Sequence, residues 1–308
     1  MQYVKQQLTE FTSTNLTDTY SAWDDTETYI LETDNNNLTD ASMVLYNNYY
    51  WRSLVNDNKG FNPETYEDIK WVKYKVSNKY AMLDLKAQSK SVYEGGDMVV
   101  TFKQNRHQTI GIGNYEAEYL TIEVLDTDGT TVLWSQDTDS PLNQNVIDYY
   151  TYIYEPYNYE SDRATKFDLG IVGEYIRITF HKSAENTRTA CGFLILGDAV
   201  DMGTTLFGVN FSYNSFANKT TDDFGAYNIT KKAVQDLVDF QTVSASGNVP
   251  TLRREIKSIY NDIVMFIVDE RDNDKYENLL TLGIIQTSSV LLQNDVETVI
   301  SFSISESV

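Results

Sequence analysis

A four-residue turn, Asp126-Thr127-Asp128-Gly129, does most to limit what this chain can become, because it stands between two runs of strand-forming residues, 119–125 and 131–134. An Asp-Gly pair between apolar runs is a hairpin signal, since glycine takes the positive φ of a tight turn without a steric cost. Neighbouring segments agree with it. Residues 97–102 alternate in part, Glu174-Tyr175-Ile176-Arg177-Ile178-Thr179-Phe180 alternates cleanly, and Cys191-Gly192-Phe193-Leu194-Ile195-Leu196 is a nearly unbroken apolar run. Short strands punctuated this closely by turns predict a β-sandwich, placed at residues 74–200.

The flanking segments read differently. Residues 1–73 carry aromatic strand signals at 28–29, 42–46 and 49–55, with Trp23, Trp51 and Trp71 spread among them. They predict a small β-hairpin module in which the tryptophans form the core. In residues 201–308, Leu252, Ile256, Ile259 and Ile263 recur at helical spacing behind Pro250, a residue favoured at helix starts. Residues 231–240 fit helix or strand, whereas 263–268, 279–285 and 296–304 are strand runs. One helix packed on a sheet gives an α+β domain. The expected class is therefore mainly β: a hairpin module, a β-sandwich and a C-terminal α+β domain with one helix packed on a sheet.

Lysine and arginine number 24 against 45 aspartates and glutamates, a formal charge of −21. Binding nucleic acid over a broad surface needs clustered cations, so nucleic acid is not an expected partner. An anionic membrane surface would repel the chain. No apolar run reaches the roughly 18 residues of a membrane span. The single cysteine, Cys191, has no intrachain disulfide partner, and Met1-Gln2-Tyr3-Val4-Lys5 does not open a secretion signal. Folding in a reducing cytoplasm is expected.

Residues that could carry chemistry are few. His107 and His181 lie in different strand regions and lack further ligands at zinc spacing. Residues 126–129 open like a calcium loop, but the later oxygen ligands and the closing glutamate are missing. Glu116 and Glu118 mimic a glycosidase carboxylate pair no better than many other acidic pairs here. Cys191 sits in an apolar run that raises a thiol's pKa. No catalytic residue and no metal ligand is assigned, and the expectation is a protein that is not an enzyme. The aromatic residues remain as binding candidates. Trp23, Tyr50, Trp51 and Trp71 are the candidates for carbohydrate stacking, and Tyr149, Tyr150 and Tyr152, in the densest tyrosine stretch, for an interface between subunits.

The order of these segments resembles a family of tailed-bacteriophage virion proteins. The first resembles a chitin-binding-like module through Ala22-Trp23, Thr28-Tyr29, Tyr50-Trp51, Asn62-Pro63 and Trp71. It departs from that pattern at Leu31-Glu32-Thr33, where a glycine turn is usual. The stretch Asn78-Lys79-Tyr80-Ala81-Met82-Leu83-Asp84 is similar to the opening of a galactose-binding-like jelly roll. Further likenesses are Asp148-Tyr149-Tyr150-Thr151-Tyr152, Ala190-Cys191-Gly192, residues 197–205, and Thr221-Asp222-Asp223-Phe224-Gly225. The resemblance implies a structural protein of the tail, neck or baseplate, assembled into the virion in the host cytoplasm. It implies docking or self-assembly into a ring or multimer through the C-terminal domain, with Asp223 and Phe224 added to the interface candidates. Other tail or neck proteins are the implied partners; no cofactor is expected, and a structural Ca2+, which such jelly rolls often carry, is the one ligand the resemblance leaves open. The alternatives are an adaptor that binds host-surface glycans and, behind it, a polysaccharide-degrading enzyme.

Overall fold

Alternation of inward apolar and outward polar residues decides most of the architecture. The structure, a computed structural model, describes residues 1–7, 11–32, 38–86, 88–137, 164–182, 188–221, 227–230, 232, 234–268, 280–292 and 296–307. These residues form a mainly β protein of antiparallel sheets with one α-helix. Strands Val132–Asp137, Tyr119–Leu125, Tyr175–His181, Met98–Lys103 and Ser13–Thr14 lie side by side in that order as a five-stranded sheet. Along Tyr175–His181, Ile176, Ile178 and Phe180 point inward and are fully buried, as their period of two requires.

Strands Ala164–Asp168, Thr109–Gly113 and Phe193–Gly197 form a three-stranded sheet that packs on the first. Its central positions are buried on both faces. Ile110, Ile112, Leu194 and Leu196 join the sandwich core, while Phe193 and Ile195 pack against Val4, Met265, Ile267 and Leu282 of a third sheet. Burial on two sides explains why the apolar run through residue 196 shows no polar alternation. Gly111 stands where the second and third sheets meet. A Cβ there would lie 2.0 Å from the Sδ of Met265, so the layers approach this closely only because the residue has no side chain.

The third sheet has eight strands. Seven run Ala199–Asp201, Gln2–Val4, Val264–Ile267, Leu280–Leu292, Glu297–Glu306, Val234–Ala245 and Thr204–Thr205, and Asn210–Ser215 also pairs with Val234–Ala245. On its far face lies the helix, Val249–Ile259, with Pro250 in its first turn and Leu252, Ile256 and Ile259 buried against the sheet. The Tyr3 hydroxyl donates to Glu255 Oε2 at 2.8 Å, which ties the first strand to the helix. Burial, with the Glu255 carboxylate beside it, pushes the Tyr3 pKa up to about 12. The order of layers is thus helix, eight strands, three strands, five strands. The ambiguous stretch 231–240 resolves in favour of a strand, Val234–Ala245, because Val238 and Phe240 are needed on the helix side of the sheet.

The aromatic module is built on strands Met43–Tyr46, Tyr49–Ser53 and Trp71–Val76, with a small ladder between Thr28–Tyr29 and Asn58–Lys59. Asn47 and Asn48, at φ of 47° and 65°, close the first hairpin; both positions require positive φ, which asparagine tolerates. Asn78 joins the module to the sandwich. Its backbone N–H donates to the Tyr50 hydroxyl, its Nδ2 to the carbonyls of Thr17 and Val92, and its Oδ1 accepts from the Val92 N–H.

The hairpin module expected over 1–73 includes residues that the structure places elsewhere. Gln2–Val4 is an inner strand of the eight-stranded sheet, and Ser13–Thr14 edges the five-stranded one, with Leu16 in the sandwich core. A segment of three strand residues carries too little pattern to name its partners, which lie about 200 and 260 residues away in sequence.

Candidate docking surface

Residues 202–218 contain no Asp, Glu, Lys or Arg, in a chain where 22% of residues are charged. The same stretch contains Phe207, Phe211, Tyr213 and Phe216, all exposed, Phe207 at 84% and Tyr213 at 71%. The topology gives this run its prominence. Strand Asn210–Ser215 pairs along the outer edge of Val234–Ala245, whose other edge pairs with Glu297–Glu306 only from Leu237 onward. Past Ser215 and Val234 the two chain segments continue as a separate ladder, Asn218–Thr221 with Tyr227–Thr230. The result is a long two-stranded arm that runs beyond the body of the sheet.

Direct pairing fixes which way the rings face, because opposite residues in an antiparallel ladder share a side. Phe211 is opposite Val238, Val238 opposite Ile304, and Ile304 opposite Ile285. The three inner residues belong to the core beneath the helix. An apolar row therefore starts under the helix, crosses four strands and ends at an exposed Phe211 on the edge. Tyr213 follows on the same side, opposite Asp236. Ile229 and Val234 add further exposed apolar surface on the returning strand. On the helix side there is also a groove of about 640 Å3, lined by Arg253, Ile256, Lys257, Tyr260, Ser288 and Val290 among others.

The carbohydrate candidates fare differently from one another. Tyr50, Trp51 and Trp71 are at most 1% exposed. Trp51 donates its indole N–H to the Tyr46 carbonyl and Trp71 to that of Phe61, at 3.0 and 2.8 Å. Trp71 also packs edge-on against Tyr29. A ring closed on both faces has nothing to offer a sugar: Trp51 and Trp71 belong to the module's core, while Tyr50 is buried apart from them, edge-on to Tyr20 with its hydroxyl accepting from the Thr19 N–H. Trp23 alone is half-buried, edge-on to Tyr46. Tyr149, Tyr150, Tyr152, Asp223 and Phe224 lie outside the described residues.

The polar candidates form local structure. Asp128 accepts from the N–H groups of Thr130 and Thr131 and from the Thr131 hydroxyl, and these bonds hold its carboxyl well below the usual carboxylate range. That is the geometry of the hairpin turn. Among the described residues no three His, Cys, Asp or Glu side chains converge to hold a metal ion. His107 Nδ1 faces Asp198 and His181 Nδ1 faces Asp97, each at 3.0 Å. Cys191 is fully buried, and its burial pushes the thiol pKa up. Among the described residues no helix is long and apolar enough to cross a membrane.

Glu116 bridges strand edges. Its carboxylate takes a bond from Lys90 at 2.8 Å and lies 3.7 Å from Arg188. Burial alone would raise its pKa, but the Lys90 bond and the neighbouring cations outweigh it, and the pKa falls below 4.5. A depressed carboxylate stabilises the fold above its unfolded pKa, and that gain is lost as the pH drops through the folded value. Glu116→Gln should therefore lower the urea midpoint at neutral pH. The gap between variant and wild type should close in acid below the carboxylate range, and a gap independent of pH would contradict the ion-pair origin.

No protein-family model matches this sequence, and no curated protein matches it either.

Proposed function

We propose that this protein is a non-enzymatic structural subunit of a tailed-phage particle, in its tail, neck or baseplate, fastened there through the C-terminal sheet and its arm. The observation that carries this reading is the arm itself. Monomeric proteins seldom leave large contiguous apolar patches in water, and patches of this kind mark interaction sites. A two-stranded hairpin is also marginal by itself and gains stability from a third strand or a packed face. Outside Leu237 the arm has no third strand among the described residues, and a neighbouring subunit would supply one. The sandwich then lies on the opposite face of the eight-stranded sheet from the helix, free to project from the site of attachment.

Quantitative mass spectrometry of purified particles tests the proposal. The expected result is this chain at a fixed ratio to the other structural proteins, retained through gradient purification. A protein abundant in the infected cell but missing from particles would refute it.

A further inference from the structure

The reading of the arm as a docking surface leaves its partner open, and this inference rests on that reading. We propose that the partner at strand Asn210–Ser215 is the same strand of a second copy, added antiparallel across a twofold axis so that two eight-stranded sheets become one.

Three observations converge on a second copy. The first is the edge. Natural sheets blunt their edge strands with lysine, proline, bulges or a covering element. Asn210-Phe211-Ser212-Tyr213-Asn214-Ser215 has no charge, no proline and no bulge in its pairing with Val234–Ala245, and no described strand covers its outer side. The second is charge. A chain of net charge −21 repels its own copies over most of its surface. Along residues 202–218 two copies can meet without setting carboxylate against carboxylate.

The third is self-complementarity. A twofold contact sets residue i against j and j against i, and paired residues must share a face of the sheet. With Ser212 on the axis, Ser212 meets Ser212, Phe211 meets Tyr213, Tyr213 meets Phe211, and Asn210 meets Asn214. Both rings thus find rings, on the helix side where the apolar row ends. Centring on Tyr213 would instead set Phe211 against Ser215. The Ser212 register also brings Phe207 level with residue 217 of the second copy, beside its Phe216. Covering the exposed parts of Phe207, Phe211, Tyr213 and Phe216 in two copies, at roughly 150–250 Å2 per aromatic side chain, removes on the order of 1,000 Å2. The paired backbone and smaller side chains bring the total into the range of about 1,200–2,000 Å2 typical of stable interfaces.

Sedimentation equilibrium combined with cysteine cross-linking tests the inference. Wild type should sediment as a dimer that dissociates on dilution. Tyr213→Lys, at an exposed site where folding is not at stake, should shift it to monomer with an unchanged circular dichroism spectrum. Ser212→Cys should form a disulfide-linked dimer on mild oxidation, with Asn214→Cys, whose own twin lies elsewhere in this register, cross-linking far more slowly. Cys191 is buried and does not compete. A wild-type protein that stays monomeric at every concentration, or equal cross-linking at 212 and 214, overturns the inference. If such a monomer still enters particles, the proposed function stands and the strand partner is another protein. A dimer absent from particles has the opposite meaning.

Discussion

Trp71→Ala should melt the aromatic module while the sheets below it stay folded, at a loss of about 3–5 kcal/mol, the range for deleting a large buried aromatic side chain. The module's buried core is small, being Tyr29, Val44, Trp51 and Trp71 with a few half-buried rings around them. Removing one indole leaves a void that three short strands cannot collapse around, and it leaves the Phe61 carbonyl without its donor. Trp51→Ala should act in the same way through the Tyr46 carbonyl. Trp23→Ala, at a half-buried ring, should cost much less. Thermal unfolding followed by near-ultraviolet circular dichroism separates these cases: an early transition should appear in the Trp51 and Trp71 variants only. Equal and small effects at all three positions would mean that the rings are not a core. The comparison matters for any glycan assay, because lost binding in a Trp51 or Trp71 variant would report an unfolded module and not a missing contact.

The second large effect is expected at Gly111→Ala. One methyl group at this position collides with Met265, which is fully buried between two sheets and has little room to turn aside. Overpacking a core typically costs about 1–3 kcal/mol. The upper half of that range is expected here, since both sheets are held by paired strands on either side. Met265→Ala should cost stability by itself by opening a cavity. The double variant should then be more stable than the sum of the two single losses implies, because the new methyl fills part of the vacated space. Chemical denaturation of the four proteins gives the coupling. Additive losses would show that the two residues do not meet.

The parts of this fold that follow a short period were legible in the sequence. Residues 126–129 marked their hairpin because an Asp-Gly turn has few other uses, and Leu252, Ile256 and Ile259 marked the helix because their spacing fits one face. The apolar run through residue 196 could be read as a strand, but its burial on both sides depended on a third sheet formed from distant segments. Gln2–Val4 was not legible for the same reason, since its neighbours come from the other end of the chain. The tryptophans were visible as candidates, yet composition does not distinguish a ring that stacks on a sugar from one that fills a core; burial does. The arm was missed although its signal was present. A charge-free stretch with four aromatic rings at residues 202–218 of an acidic chain was open to view, and reading charge by local window would have found it.

The claim on which the function turns is that the arm fastens this protein to its neighbours. Particles assembled with a Phe211→Lys/Tyr213→Lys chain, compared with wild type by mass spectrometry, test it most directly. Both side chains are exposed, so the free protein should keep its fold. Two lysines on the edge strand should block strand addition, and the variant should be missing from purified particles. Incorporation at the wild-type level would place the attachment elsewhere on the molecule.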